Sequence, residues 1–230
     1  IKEAVSVGYG NLDAYAFHTL EILQCMLERR LGGETGVASV KCLKGKAVYE
    51  AARAGEFSME LAEAAASFSK FRRKAASMEA GEPNPVAILI RYKDGTKATA
   101  LLVGRYVDEY WGYAARIGGK IEACEFVSSQ AAPKSDFSYM NMNVEQMFLT
   151  GKVPWPLERN LLTTGILDAA VRSNATHGEP VETPHLLISY QPSKEELIHP
   201  KNEEPTGASL GPWPPDGFDF IVKSRGKKRK

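Results

Sequence analysis

The sequence predicts an α+β domain whose open, mostly antiparallel β-sheet carries helices on one face. Three observations support this fold class. Strand-like segments fill the middle of the 230-residue chain, apolar residues at helical spacing flank them, and short glycine-containing turns join successive strands. Because such short turns join antiparallel neighbours, we expect the central strands to form hairpins.

The N-terminal part of the chain predicts alternating strands and helices. Residues 1–9 alternate apolar and polar side chains, as a strand does, and residues 12–30 carry apolar side chains at helical spacing. Asn11 or Asp13 is expected to cap this helix. Residues 36–43 predict a second strand.

Two more helices and four strands are predicted before the chain becomes helical again. The helices are residues 46–55 and 58–78, and the segment GEPNP breaks the chain after them. Residues 86–106 hold two strands around Asp-Gly, and residues 109–127 hold two more around Gly-Gly. Both dipeptides are hairpin signals.

The C-terminal part predicts two helices, a strand and an irregular end. The helices are residues 138–152 and 157–176, and the strand is residues 185–192. The remainder is proline-rich and ends in KSRGKKRK. We therefore divide the chain into an α+β substrate and oligomerisation domain (1–191), a proline-rich irregular extension (192–222) and a basic disordered tail (223–230).

Composition and charge exclude several classes of protein. No apolar run approaches the roughly 18 residues that a membrane span requires, and the first residues lack the apolar core of a signal peptide. The tail carries six basic residues, which either bind nucleic acid or form a solvated end. Without them the chain has a net charge of −5, which argues against nucleic acid as a partner.

The cysteines and the acidic–histidine spacings predict no covalent or metal framework. Cys25, Cys42 and Cys124 are scattered and form no C-x-x-C motif, as is typical of a reducing compartment. We therefore expect a cytoplasmic protein. Glu196 and His199 are spaced as two metal ligands but lack the H-E-x-x-H pattern, so no metal site is expected.

The segment VSVGYGNLDAYAFHTLEILQ has the strand–turn–helix order of a dinucleotide-binding fingerprint. Gly8 and Gly10 match the first two glycines of G-x-G-x-x-G, but Asp13 occupies the third position. A carboxylate at a helix N-terminus competes with phosphate for the same positive end. We therefore expect no nucleotide at this turn, and the cofactor-binding residues remain unassigned.

His18 is the candidate for acid–base chemistry. Of the four histidines, it is the one inside a predicted helix near other polar groups. A nearby carboxylate such as Asp13 favours and orients a protonated imidazole, which suits general acid–base catalysis. The alternative is a core histidine bonded to a backbone carbonyl.

Aromatic residues offer a candidate binding face. Tyr110, Trp111 and Tyr113 follow one another closely in a predicted strand. Aromatic faces pack well on sugar rings, so these side chains could line a sugar site. The alternative is ordinary strand packing or a subunit interface.

Two segments resemble a known family. GYGNLDAYAFHTLEILQCMLERRLGGETGV resembles the start of the C-terminal domain in the glucose–fructose oxidoreductase / inositol dehydrogenase / MocA family, which has a glycine-rich turn, an Asp, and His-x-x-Asp on a helix. Asp13, His18 and Glu21 stand at these positions, with five residues from Asp13 to His18 where the family usually has four. Residues 147–190 resemble the family's closing pattern of Gly-x-x-Pro, a long helix ending in Ala-x-x-Ser, and a short strand.

The resemblance implies the substrate-binding domain of an NAD(P)-dependent sugar or polyol dehydrogenase. With the aromatic face, it assigns catalysis to His18 and Asp13 and substrate binding to Tyr15, Glu21 and Trp111. It also implies that NAD or NADP is bound mainly by an N-terminal Rossmann domain, whose Glu-Lys-Pro lysine this sequence does not contain. The chain alone is therefore expected to be inactive.

A second hypothesis is a non-catalytic assembly or ligand-binding module that keeps the same sheet. The open sheet face of this family commonly serves oligomerisation. A homo-oligomer formed through the sheet is therefore expected as well, with a small sugar or polyol as the ligand.

Overall fold

The computed structural model describes residues 1–70, 72–126, 135–194 and 197. The chain divides into two compact units. The first comprises Ile1–Val127 and Pro156–Pro192, and the second comprises Ser128–Trp155 and Ser193–Lys230.

Strands and helices are interspersed along the described residues. The strands are β1 (Glu3–Gly8), β2 (Val37–Lys44), β3 (Val86–Tyr92), β4 (Lys97–Leu102), β5 (Trp111–Ile117), β6 (Lys120–Phe126) and β7 (Val181–Glu182). The helices are α1 (Ala16–Leu27), α2 (Lys46–Arg53), α3 (Met59–Ala66), α4 (Met78–Gly81), α5 (Gly104–Val107), α6 (Ser135–Thr150) and α7 (Leu157–Ala175), with a 3₁₀ helix at Pro184–Leu186. Helix α6 belongs to the second unit, and the other elements belong to the first.

The seven strands form one open sheet in the order β6-β5-β1-β4-β3-β2-β7. Strands β1 and β4 run parallel, and the other neighbouring pairs are antiparallel. The α+β class and the open, mostly antiparallel sheet are thus confirmed. The β3–β4 hairpin turns at Gly95, whose φ of +81° favours glycine.

Helices α1 and α7 pack on one face of the sheet. Ile88 and Ile90 of β3 point to this face and share a buried cluster with Leu20 and Leu23 of α1 and Ile166 of α7. This layer is the one that the helical periodicity of residues 12–30 and 157–176 predicts.

Helices also cover the opposite face, which differs from the one-sided packing that the sequence predicted. Val5 and Val7 of β1 share a second buried cluster with Val48 of α2 and with Leu61 and Ala65 of α3. The physical reason is that β1, β3 and β4 carry apolar side chains at consecutive positions. A strand that is apolar on both sides needs cover on both faces.

The helix predicted for residues 58–78 is interrupted after α3. Between α3 and α4, the hydroxyl of Ser69 donates to the carbonyl of Val107 at 2.8 Å, and the N–H of Arg73 donates to the carbonyl of Tyr106 at 2.8 Å. These long-range bonds take the place of helical ones. Tertiary packing thus overrides the helix propensity of an alanine-rich segment.

The strand predicted for residues 185–192 is wrong. The ladder beside β2 is made by the two residues of β7, and a 3₁₀ helix begins at Pro184. Proline has no N–H to donate, so it ends the ladder. Within the predicted strand, Tyr190 forms an isolated antiparallel bridge with Glu34.

Some predictions fall outside the described residues. Apart from residues 192–194 and 197, the extension and the basic tail are not described, and neither are Glu196 and His199. These statements, and the domain boundaries, stay predictions.

Candidate functional site

The turn between β1 and α1 brings the end of a central strand against the start of a helix. A Cβ on Gly8 would lie 2.1 Å from Thr19 Oγ1 and 3.0 Å from Trp111 Cδ1. Gly10 has a φ of +83°, and a Cβ there would lie 2.5 Å from the ring of Tyr15. Turn geometry and close packing therefore account for both glycines without a bound phosphate.

Four aromatic rings form a closed circuit at this turn. The ring centroids of Tyr9 and Tyr15 are 4.8 Å apart, and those of Tyr15 and His18 are 6.0 Å apart. The circuit closes through Trp111, which lies 5.8 Å from His18 and 4.7 Å from Tyr9. The structure thus brings together three of the predicted site residues, His18, Tyr15 and Trp111.

His18 lies in the first turn of α1 and is exposed, as is Tyr15, whereas Trp111 is half-buried. An exposed imidazole is not a core histidine, which excludes that alternative for His18. A ligand that reached this ring would also meet the exposed edge of Tyr15. The arrangement can therefore combine an accessible proton donor or acceptor with aromatic contact surface.

Glu21 lies on the next turn of α1 and faces α7 rather than the ring circuit. The hydroxyl of Thr163 donates to Glu21 Oε1 at 2.6 Å. Burial raises the pKa of Glu21 above its ordinary value, and the hydrogen bond from Thr163 and the charges of Arg159 and His18 act in the opposite direction. Glu21 is thus coupled electrostatically to His18 from the protein side of the site.

A buried polar network fixes the far end of α1. Arg159 of α7 donates to both carboxylate oxygens of Glu28, and the hydroxyl of Tyr190 donates to Glu28 Oε2 at 3.0 Å. Gln24 Nε2 donates to the hydroxyl of Tyr190 at 3.0 Å. The network clamps α1 against α7 and so holds the helix that carries His18.

Asp13 takes part neither in the ring circuit nor in the polar network of α1. It is exposed in the turn before α1, and no described residue makes a hydrogen bond or ion pair with it. Asn11 Oδ1 accepts from the N–H of Ala14 at 2.8 Å, but this bond lies in the turn that precedes α1. The N-cap residue of α1 is Tyr15, which makes no side-chain capping bond, so the prediction that Asn11 or Asp13 caps the helix is wrong. A catalytic role for Asp13 stays a prediction.

The loop before β5 contributes residues that the sequence analysis missed. Asp108 and Glu109 both have a φ of +39°, which is an uncommon conformation for residues with a side chain. Burial raises the pKa of Tyr9, and Tyr15 and these two carboxylates add to the increase. Both acidic residues come just before Trp111 in the chain, which places them beside the ring circuit. Two features of the sequence could have identified these residues: Tyr9 in the GYG turn, and the two consecutive acids before Tyr-Trp.

The described residues offer little for a metal or a nucleotide. No group of three or more His, Cys, Asp or Glu side chains in that part of the chain is arranged to hold a metal ion. The carboxylates near Tyr9 disfavour a cofactor phosphate by like-charge repulsion, whereas they can accept hydrogen bonds from neutral hydroxyls. Within the same residues, no helix has the length and apolar character to cross a membrane.

Comparison with known proteins shows a distant structural likeness. No protein-family model and no curated protein sequence matches the chain. It is similar to the crystal structure of a myo-inositol dehydrogenase from Corynebacterium glutamicum ATCC 13032, with 13% sequence identity and a TM-score of 0.41. The match covers 79% of this chain and 56% of that one, so the chain spans about half the length of that enzyme. Similarity at this level identifies neither a family nor an activity.

Proposed function

We propose that this chain is the substrate-binding domain of an NAD(P)-dependent sugar or polyol dehydrogenase. The observation that carries the proposal is the exposed imidazole of His18 within a circuit of aromatic rings. The resemblance of residues 8–37 to the start of such a domain supports the same assignment. The packed glycine turn and the nearby acids do not fit a nucleotide, so NAD or NADP would be held by a separate Rossmann domain.

His18 supplies the acid–base half of the proposed reaction. Oxidation of a hydroxyl to a carbonyl removes a hydride from carbon and a proton from oxygen, and the nicotinamide accepts the hydride when it is bound. A neutral imidazole at His18 takes the proton from the hydroxyl, and the imidazolium returns it in the reverse direction. An ionised Glu21 stabilises the positive charge that His18 then carries.

Aromatic and acidic groups supply binding in this proposal. The ring faces of Tyr15 and Trp111 pack on the C–H surface of the substrate. Asp108 and Glu109 accept hydrogen bonds from substrate hydroxyls, and their charge favours neutral polyols over phosphorylated ones. Asp13 is exposed at the same turn, where it is free to polarise a hydroxyl.

The alternative, a non-catalytic ligand-binding or assembly module, is favoured by the lack of any bond between Asp13 and the rest of the described site. Homo-oligomerisation through the sheet is also a proposal. Because α2 and α3 cover the central strands on the second face, such an interface would use the edge strand β6. A cytoplasmic location likewise stays a prediction.

Polyol binding to the purified chain tests the proposal. We would titrate myo-inositol, glucose and their phosphates against the protein and follow the imidazole C–H signals by NMR. We expect the His18 signal to shift saturably with neutral polyols and less with the phosphates. Trp111→Ala should weaken binding about tenfold or more, since it removes a stacking face.

Matched variants make the test specific. His18→Gln should abolish turnover once a nucleotide-binding partner is supplied, while His185→Gln changes an exposed histidine of the 3₁₀ helix and should have no effect. Native mass spectrometry with NAD(H) and NADP(H) would show whether nucleotide is retained only with a second polypeptide. Full turnover by His18→Gln, or no polyol response at all, would overturn the proposal.

A further inference from the structure

A small cavity lies on the sheet face opposite α1 and α7, away from the ring circuit. Its volume is about 160 Å³. Ser39 of β2 stands directly opposite Arg91 of β3, and Lys41 stands opposite Leu89. Glu56, between α2 and α3, and Pro180, before β7, complete the lining. The β2–β3 register shifts between Val37 and Ser39, at the end of this row.

Arg91 is incompletely paired in this cavity. Its Nη2 donates to the backbone carbonyl of Glu56 at 3.0 Å. Its Nη1 is buried and has no hydrogen-bond partner among the described residues. A buried donor on a charged group is costly to leave unpaired, and native proteins almost always satisfy such atoms. We therefore expect a hydrogen-bond acceptor inside the cavity for Arg91 Nη1.

The charges of the lining indicate what that acceptor is. Lys41 Nζ lies 3.1 Å from both carboxylate oxygens of Glu56, so these two charges compensate each other. Arg91 remains as one uncompensated positive charge. Glu182 stands opposite Ser39 on β7, but it is exposed and does not line the cavity. The lining therefore has a net charge of about +1, which fits a ligand with one negative charge.

The size of the cavity limits the ligand. A water molecule occupies about 30 Å³ in the liquid, so a cavity of about 160 Å³ holds a ligand of a few heavy atoms. A carboxylate offers one oxygen to Arg91 Nη1 and the other to the third proton of Lys41 or to the hydroxyl of Ser39. The apolar sides of Leu89 and Pro180 suit a short alkyl group.

We propose that this cavity binds a small monoanionic carboxylate between Arg91 and Lys41. The site lies on the other face of the sheet from His18, so it is separate from the proposed substrate site. Its success or failure therefore says nothing about the dehydrogenase proposal.

Thermal unfolding of the full chain with sodium acetate, against sodium chloride at equal ionic strength, tests the site. A ligand that binds only the folded state raises the unfolding temperature with its concentration. We expect a saturable rise with acetate and with formate. Arg91→Gln keeps an N–H for the Glu56 carbonyl but removes the charge, and it should weaken the apparent affinity about tenfold or more. Glu56→Gln removes the competing carboxylate and should strengthen it.

Two further variants keep the result clear. Lys41→Gln removes the second cation and should also weaken acetate binding, which provides a test if Arg91→Gln fails to fold. Arg116→Gln changes an exposed arginine that pairs with Glu60 on the surface and should leave acetate binding unchanged. Equal responses to acetate and chloride, an unchanged response in both cavity variants, or tighter binding of inorganic phosphate than of acetate would overturn the proposal.

Discussion

Arg159 of α7 donates two hydrogen bonds to the carboxylate of Glu28 at the end of α1, from Nε at 2.8 Å and from Nη2 at 2.5 Å. The Glu28 side chain is completely buried and that of Arg159 is 14% exposed. The pair thus joins the two long helices that lie on one face of the sheet. It also fixes the register between the helix that carries His18 and its neighbour.

Removing Arg159 should leave the buried Glu28 carboxylate without the arginine that compensates its charge. We expect Arg159→Met to lower the free energy of unfolding by about 3–5 kcal/mol, because Glu28 would then be buried with only part of its compensation. Arg159→Met with Glu28→Gln should lose less than the single variant. Urea unfolding measures both. Arg172→Met, at an exposed pair with Asp168, is the control and should change stability by less than about 0.5 kcal/mol.

Gly8 should not tolerate a side chain. We expect Gly8→Ala to cost about 1–3 kcal/mol, because its Cβ would overlap Thr19 Oγ1. That hydroxyl has no hydrogen-bond partner among the residues described, so Thr19→Ala should be nearly neutral. The double variant should recover part of the loss in a chemical unfolding experiment. Strict additivity of the two single effects would contradict the close contact.

Glu21 should make stability depend on pH in an identifiable direction. Burial raises its pKa above the value of about 4.3 expected in the unfolded chain. Between these two values the folded state binds more protons, so the stability that Glu21 contributes is complete below about pH 4.3 and is lost as the pH rises through the folded pKa.

Glu21→Gln should remove this loss. We expect the variant to gain stability relative to the natural chain as the pH rises from about 4 to 7, since a glutamine can still accept the bond from Thr163. Urea midpoints at several pH values measure the difference. Glu122→Gln, on an exposed position of β6, is the control. A relative loss of stability in the Glu21 variant with rising pH would contradict the argument.

The left-handed backbone at Asp108 and Glu109 should be a source of strain. Glycine adopts such a φ without steric cost, so Glu109→Gly should raise the free energy of unfolding by about 1 kcal/mol. Glu125→Gly, in the extended strand β6, should instead lower it by about 0.5–1 kcal/mol. If Glu109 accepts bonds from the polyol, the stabilised variant should also bind polyol more weakly in the NMR titration. Unchanged or lower stability would show that the loop is not strained.

Local signals in the sequence account for much of the fold. The Asp-Gly and Gly-Gly dipeptides predicted both hairpins correctly, and helical spacing predicted α1 and α7. The interruption between α3 and α4 was not predictable locally, because it depends on Ser69 reaching the carbonyl of Val107, far along the chain. The second helical layer could have been inferred from the consecutive apolar residues of β1, β3 and β4.

The candidate site was also predictable only where it depends on residues close together in the sequence. His18 and Tyr15 lie three residues apart on one helical segment, so their proximity follows from the sequence. Trp111 joins them only because β5 pairs with β1, with Gly112 opposite Val7. Arg159 and Thr163 reach Glu28 and Glu21 through the packing of α7 on α1, which no periodicity in either helix specifies.

The central position of β1 has a consequence for how the chain folds. Strands β2, β3 and β4 pair with the strands next to them in chain order, as do β5 and β6, so neither group needs β1 to form its ladder. Strand β1 is the seam between the two groups, with β4 on one side and β5 on the other. Its pairings join residues far apart in sequence, which makes them slow to form. Deleting residues 3–8 should therefore leave two separate ladders that cannot merge into one sheet.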